Sequence, residues 1–158
     1  MASVKKKTAL WYLFRGPVYL YRRHLGWLFG HRFLLLTHIG RHTGLRRYNV
    51  LEVVEYRSQG PEAIVVNGFG RKSDWVQNIE ANGHAEITVG QQHYRASHRF
   101  LDEQEAVQVM HAYERRHRFI APVVHRGLSW LLGWDYRGSD ADRHRLVKQL
   151  ALIAFRPV

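Results

Sequence analysis

Cysteine is absent from the sequence, which excludes disulfide bonds and thiolate metal sites. The 158 residues suit a single domain that is large enough to be stabilised by packing alone. No apolar run reaches the roughly eighteen residues that a membrane-spanning helix needs. The N-terminus also lacks the apolar segment and small-residue cleavage site of a signal peptide. These absences predict a cytoplasmic protein that neither spans a membrane nor is secreted.

Acidic residues are missing from the first third of the chain. Residues 1–51 contain ten Lys and Arg and no Asp or Glu, whereas the residues after them contain fourteen basic and thirteen acidic side chains. The net charge of +11 at pH 7 therefore belongs to the first third. Such a positive field attracts phosphates, anionic lipid head groups or nucleic acid, and the charge alone does not choose among them.

Basic and aromatic residues share residues 1–30. Lys5, Lys6 and Lys7 precede two apolar stretches at helical spacing, and Pro17 interrupts them. Aromatic residues on one side and basic residues on the other are typical of a helix in a membrane interface. Such a contact would place the protein peripherally on the inner face of the membrane. The alternative is a helix packed on its own domain, residues 31–158, or on the second subunit of a homodimer.

A basic turn, residues 40–47, lies between two predicted strands at 33–39 and 48–56. Two glycines four positions apart permit a tight turn with left-handed backbone angles. Three arginines, a histidine and a threonine lie on this turn with no acid among them, which favours an anion site. The alternative is an ordinary solvated hairpin turn. The side chains and the second glycine are Arg41, His42, Thr43, Gly44, Arg46 and Arg47.

A second basic loop, residues 68–74, follows a third predicted strand at 63–67. It leads into a predicted short helix at 75–82, with Ser73 or Asp74 as its N-cap and Gly83 after its end. Backbone N–H groups and cations at a helix N-terminus favour an anion, so this loop is a second candidate anion site. The alternative is a capped surface helix.

The rest of the chain predicts a hairpin at 84–89 and 93–101, a helix from 102 to 118, a short helix at 140–147 and a closing strand at 149–155. Residues 119–148 are less regular, and we interpret them as a helical insertion that forms a lid or a partner contact. Six or so mostly antiparallel strands with flanking helices predict an α+β protein built on a small closed or split β-barrel.

Other chemistries find little support in the sequence. Eleven histidines include no His-x-x-x-His pair, and His93 and His98 would face opposite sides of a strand, so no metal site is predicted. No dinucleotide fingerprint or Walker pattern is present. Nucleic-acid binding is disfavoured because the basic residues belong to two specific turns without a recognition motif. A basic nucleic-acid or membrane-binding module nevertheless stays a third hypothesis.

The two basic segments, in this order, resemble the deazaflavin-dependent nitroreductase family. The resemblance rests on Thr-x-x-Gly-Arg-x-Thr-Gly at 37–44 and on Trp-x-x-Asn-Ile at 75–79, whose helix ends in Ala-Asn. It implies an FMN-binding split-barrel-like fold, as in the pyridoxamine oxidase relatives. It also implies the reduced deazaflavin coenzyme F420, with FMN as the alternative, and hydride transfer to a quinone, a nitroaromatic or another conjugated acceptor. The second hypothesis is a barrel of this lineage that binds a flavin, deazaflavin or tetrapyrrole without turnover.

The resemblance also assigns residues by position. The basic turn would hold the anionic part of the coenzyme, and the second loop and its helix would flank the phosphate and the ring. Tyr113 would lie on the acceptor side, and Tyr136 is a second candidate for that side or for a proton donor. His42 stands where the family usually has lysine, so its charge depends on pH. The residues assigned to the second loop and its helix are Gly68, Arg71, Lys72 and Trp75.

Overall fold

The computed structural model of the protein describes residues 23, 28 and 30–158. The predicted N-terminal helix and its membrane or subunit contact lie outside the described residues. The helices and strands follow in the order β1 (Phe33–Ile39), β2 (Arg46–Arg57), β3 (Glu62–Asn67), α1 (Asp74–Asn82), β4 (Ala85–Val89), β5 (Gln92–Phe100), α2 (Glu103–Arg116), α3 (Ala121–Leu132), α4 (Asp140–Gln149) and β6 (Ala151–Pro157).

The six strands form a closed barrel in the order β1-β2-β3-β6-β5-β4, and every neighbouring pair is antiparallel. This confirms the predicted α+β barrel. Strand β2 begins at Arg46, two residues earlier than predicted, because its ladder with β1 continues to the Ile39–Arg46 pair. Strand β6 begins later than predicted, because α4 continues to Gln149.

The barrel interior is filled by alternate residues of all six strands, as the two-residue period of a strand requires. Helix α1 covers part of this core with Trp75, Val76 and Ile79, which are all buried. The interior strand residues are Leu34, Leu36, Val53, Ala63, Val65, Ala85, Ile87, Val89, Ala96, Ala151, Ile153 and Phe155.

A second apolar layer lies between the barrel and helices α2, α3 and α4. The outward-facing Val54, Ile64 and Leu152 pack against side chains of these helices, among them Met110 and Leu146. Residues 119–148 thus include α3 and nearly all of α4, where the sequence predicted a helical insertion. No helix among the described residues is long and apolar enough to cross a membrane.

A buried carboxylate ties four strands to α2. The Glu62 side chain is only 1% exposed and contacts Arg57 at 2.8 Å, Arg99 at 3.1 Å and also Arg156. Arg57 and Arg99 reach Glu105 of α2 as well. Burial opposes ionisation of Glu62, but the hydrogen bonds from Arg99 and Arg156 outweigh it and hold the pKa of this carboxyl below its ordinary value.

Candidate anion-binding site

The basic turn is closed by two backbone hydrogen bonds. The Gly40 N–H donates to the carbonyl of Leu45 at 2.9 Å, and the Gly44 N–H donates to the carbonyl of Gly40 at 2.8 Å. Gly44 has a φ of 66°, a conformation that glycine adopts without steric cost. A Cβ at Gly40 would lie 2.6 Å from Thr43 Oγ1 and 3.0 Å from Nε of Arg47. Gly44 is therefore needed for its backbone angle, and Gly40 is needed because a side chain there would clash with Thr43.

Arg41 fastens the basic turn to the first residues of α1. Its backbone N–H and its guanidinium both donate to Asn78 Oδ1, at 3.0 Å and 2.9 Å. The guanidinium also pairs with the Asp74 carboxylate at 3.1 Å. The two candidate anion sites are thus joined through Arg41. The Asp74 carboxylate therefore lies against the basic turn, although the turn itself contains no acid.

Two further residues support this junction, the buried His38 and the partly buried Asn49. Asn78 Nδ2 lies 3.1 Å from His38 Nδ1, and His38 Nε2 lies 2.8 Å from Asn49 Oδ1. Since an amide oxygen only accepts, the contact with Asn49 assigns the proton of His38 to Nε2. Burial lowers the pKa of His38, Asn49 opposes that shift, and the charge of Arg47 adds to it. A neutral His38 therefore supports the junction through its contact with Asn78.

The remaining predicted side chains of the turn face solvent. Residues 42–48 are all exposed, and the side chain of Arg46 is 61% exposed although it pairs with Glu86 at 3.2 Å. The Thr43 hydroxyl accepts a hydrogen bond from the Leu45 N–H at 3.4 Å. His42, Arg46 and Arg47 are therefore accessible to a soluble anion, whereas Arg41 is mostly enclosed.

Asn67 shapes the second basic loop. Its amide donates to the Gly70 carbonyl and to Ser73 Oγ, both at 2.6 Å, and its oxygen accepts from the Phe69 N–H at 3.2 Å. Ser73 holds the N-cap position of α1, but its hydroxyl makes no capping hydrogen bond. Asn67 is 3% exposed, so this loop is fixed from inside the barrel.

The loop residues that the resemblance assigned point in several directions. The guanidinium of Arg71 lies 3.9 Å above the Phe100 ring, and Arg71 and Lys72 line a groove of about 480 Å³ beside α2 and α4. Trp75 is only 7% exposed and packs in the barrel core. A Cβ at Gly68 would lie 2.9 Å from Leu131 of α3, so this glycine allows α3 to pack closely on the loop.

The two tyrosines lie apart from the basic turn. Tyr113 donates to Glu52 at 2.8 Å and lines a second pocket of about 460 Å³. Glu52 pairs with Phe33 at the other end of the β1–β2 ladder, six residues or about 20 Å from Arg46. Burial and then Glu52 raise the pKa of Tyr113.

Tyr136 is buried in the outer core. Its side chain is 1% exposed, and its hydroxyl donates to the Glu114 carboxylate. Burial and this hydrogen bond raise the pKa of Tyr136. Among the described residues no group of three or more His, Cys, Asp or Glu could hold a metal ion.

Sequence reasoning missed the asparagines and the acids that complete the site. Asn78 was noted only as part of the Trp-x-x-Asn-Ile motif, and neither it nor Asn49 or Asn67 was assigned a role, because an amide side chain bears no charge. One signal was available, since Asn78 lies four residues after Asp74 and so shares its helix face. The approach of Glu86 to the turn follows only from the pairing of β4 with β1.

Comparison with known proteins gives a family and a fold. The family model described as F420H(2)-dependent quinone reductase matches residues 13–118, more than half of the chain. No curated protein matches the sequence significantly. A candidate pyridoxamine 5′-phosphate oxidase from Listeria innocua is 12% identical, with 87% of this chain and 93% of that chain covered and a TM-score of 0.51.

Two other solved structures are similar. HutZ, the heme storage protein of Vibrio cholerae, is 12% identical, with 88% of this chain and 90% of that chain covered and a TM-score of 0.50. An F420-H2 dependent reductase, FDR-A, is 18% identical, with 80% and 96% covered, but its TM-score of 0.46 supports no argument. At these identities the first two likenesses show the barrel fold alone.

Proposed function

The chain belongs to the F420H(2)-dependent quinone reductase family, and from this premise we propose that it passes a hydride from reduced F420 to a quinone. It is a deazaflavin-dependent oxidoreductase. When bound, the reduced coenzyme supplies the hydride, while the protein binds and orients both reactants. Nitroaromatics and other conjugated compounds are the alternative acceptors. The observation that carries the proposal is the exposed basic turn fastened to the first turn of α1.

The chemistry of this turn fits the anionic part of the coenzyme. Arginine keeps its charge at any working pH, and its planar group binds phosphate or carboxylate through two parallel hydrogen bonds. Arg46 and Arg47 are exposed at neighbouring positions, with His42 on the same turn. We propose that these three side chains contact the anion. Arg41, Thr43 and Gly44 would maintain the shape of the turn, since Arg41 is held by α1 and the other two by contacts within the turn.

The second loop has a supporting role in this proposal. Arg71 and Lys72 extend the positive field along the surface from α1. Gly68 and the buried Trp75 position the loop, the first by admitting Leu131 and the second from the barrel core. Tyr113 would contact the acceptor in the 460 Å³ pocket, where its hydroxyl donates to Glu52. A similar role for Tyr136 stays a prediction.

Fluorescence titration with reduced F420 tests the turn. We expect Arg46→Gln/Arg47→Gln to weaken binding at least about tenfold, because a hydrogen bond to a charged group contributes about 1.5–3 kcal/mol. Arg95→Gln is the matched control, since Arg95 is an exposed arginine on β5. An unchanged dissociation constant in the double variant would place the coenzyme elsewhere.

Acceptor assays separate the hypotheses. Oxidation of bound F420 on adding menadione or a nitroaromatic indicates an enzyme, whereas binding without oxidation indicates a non-catalytic barrel. Tight uptake of FMN or a tetrapyrrole in place of F420 would favour the alternative cofactors. Failure to bind any of these ligands would leave the basic nucleic-acid or membrane-binding module.

We further propose that residues 1–30 bring the enzyme to a membrane surface, where lipophilic quinones dissolve. The support is the basic and aromatic composition of this segment. Sedimentation with anionic liposomes should weaken when Lys5, Lys6 and Lys7 are replaced by serine in the full chain. Unchanged sedimentation would remove this segment from the proposal. Light scattering of the same samples tests the predicted homodimer.

A further inference from the structure

A second basic and apolar surface lies far along the chain from the N-terminal segment. Residues 115–134 contain four arginines and no Asp or Glu, although the chain after residue 51 is as a whole nearly balanced in charge. This stretch covers the end of α2, a short 3-10 helix at Arg118–Ile120, and all of α3. Its arginines are Arg115, Arg116, Arg118 and Arg126.

Helix α3 is apolar on two opposite sides. Its inner side places Leu128, Leu131 and Leu132 against the outer core. Its outer side exposes Val123 and Trp130, which are 71% and 73% exposed. Large apolar side chains exposed together on a helix whose other side is already buried are expected to have an occupant.

Phe119 extends this exposed side beyond the start of α3. It is 86% exposed, and the guanidinium of Arg118 lies 4.9 Å from the centre of its ring. Val123 and Trp130 are seven residues apart and share one side of α3, and Phe119 precedes them in the short 3-10 helix. We call Phe119, Val123 and Trp130 the outer stripe of α3. Arg118 and Arg126 border it, both in exposed positions.

We propose that the outer stripe of α3 docks on the surface of an anionic phospholipid bilayer. Tryptophan and phenylalanine favour the region between lipid head groups and chains, and arginines beside them attract anionic head groups. Because residues 115–134 contain no Asp or Glu, no acid within this stretch opposes the attraction of its arginines to an anionic surface. A protein partner or a second copy of the chain would need acids opposite Arg118 and Arg126, whereas an anionic bilayer presents such charges everywhere.

Helix α3 lies next to the second basic loop, because Leu131 on its inner side touches Gly68, and Phe69 beside Gly68 is 81% exposed. A bilayer on the outer side of α3 would lie one helix diameter, roughly 10 Å, from this loop. An acceptor dissolved in the bilayer would therefore approach close to the loop that the proposed function assigns to the coenzyme. This last step rests on the proposed function, but docking on the bilayer does not.

Vesicle sedimentation of the full chain tests the docking. Vesicles that contain phosphatidylglycerol should bind the protein, and pure phosphatidylcholine vesicles should bind it much less. Trp130→Ser should weaken binding by about tenfold or more, because burying a large apolar side chain contributes about 1.5–3 kcal/mol. Arg118→Ser/Arg126→Ser should weaken it on the order of thirtyfold, from about 1 kcal/mol per basic residue.

Matched variants keep the test specific. Val123→Ser should weaken binding, whereas Val158→Ser, at an apolar residue that is 82% exposed at the C-terminus, should not. Residues 1–30 are unchanged in all these variants, so their contribution is constant. Trp130→Phe should keep the binding but reduce the quenching of tryptophan fluorescence by brominated lipid.

Three outcomes would overturn the docking proposal. One is that the parent protein ignores phosphatidylglycerol vesicles, and another is that Trp130→Ser binds them as the parent does. The third is that Trp130→Ser changes the molar mass in light scattering without lipid, which would assign the stripe to a second copy of the chain. Titration of Trp130→Ser with reduced F420 should match the parent, so failure of the docking and failure of the proposed function are distinguishable.

Discussion

Replacing Asn78 with alanine removes the side chain that ties the basic turn to α1. Its amide oxygen accepts from the backbone and the guanidinium of Arg41, and its amide nitrogen donates to His38. Asn78 is 2% exposed and His38 is 3% exposed, so water does not readily replace the amide. The Arg41 guanidinium keeps its contact with Asp74, but its backbone N–H and His38 Nδ1 lose their partners.

The expected cost follows from these two groups. A buried polar group without a partner costs about 1–3 kcal/mol, so two of them cost about 2–6 kcal/mol. We expect about 2–4 kcal/mol for Asn78→Ala, because the Arg41 N–H is only partly buried and reaches water after a small movement. For a domain of this size the melting temperature should fall by about 5–15 °C. Binding of reduced F420 should weaken as well, because the turn is no longer held beside α1.

Thermal unfolding monitored by circular dichroism measures the first effect, and fluorescence titration measures the second. Gln77→Ala is the matched control, since Gln77 is the preceding amide on the same helix and donates one exposed hydrogen bond to Lys72. We expect this control to lie within about 1 kcal/mol of the parent. If Asn78→Ala unfolds at the same temperature as Gln77→Ala, the junction does not hold the turn as inferred.

Two further variants address buried ionisable groups. Burial lowers the pKa of His38 below its ordinary value of 6.5, so below that pH the unfolded chain binds more protons and the parent loses stability. His38→Gln should not show this loss between about pH 7 and about pH 5, and equal slopes for the two proteins would contradict a neutral buried His38. Glu62→Gln should destabilise the barrel by about 2–4 kcal/mol in urea at neutral pH, less than a fully buried pair because Arg99 and Arg156 are partly exposed. The stabilisation by Glu62 is fully present above the unfolded pKa of a glutamate and disappears as the pH falls through the lower folded pKa. If Glu62→Gln lowers the free energy of unfolding no more than the exposed Glu80→Gln does, the reasoning is refuted.

Much of the fold could be predicted because its determinants are local. Strand periodicity placed all six strands within a few residues of their observed ends, and the acids of the first turn placed the start of α2. The errors lie at element ends, as at Arg46 and Ala151, where a ladder or a helix continues for as long as its partner permits. Such limits depend on residues elsewhere in the chain.

The candidate site was predicted only in part. The glycines and arginines of the basic turn are adjacent in the chain, so their chemistry could be inferred together. The sequence could not show that Asp74 pairs with Arg41 or that Arg71 turns towards Phe100, because these partners are about 30 residues apart. Nor could it show that Trp75 belongs to the barrel core, since a tryptophan at the start of a helix suits either a ligand or a core.

The sequence by itself determined where the positive charge lies, which residues turn the chain at the basic turn, and the antiparallel barrel that carries it. These properties follow from the composition and spacing of neighbouring residues. Tertiary packing decided the rest, since it brings α1 against the turn and buries the inner side of α3 while its outer stripe stays exposed. Which cations remain accessible to an anion depends on contacts between distant residues, and those distances are set only when the six strands close.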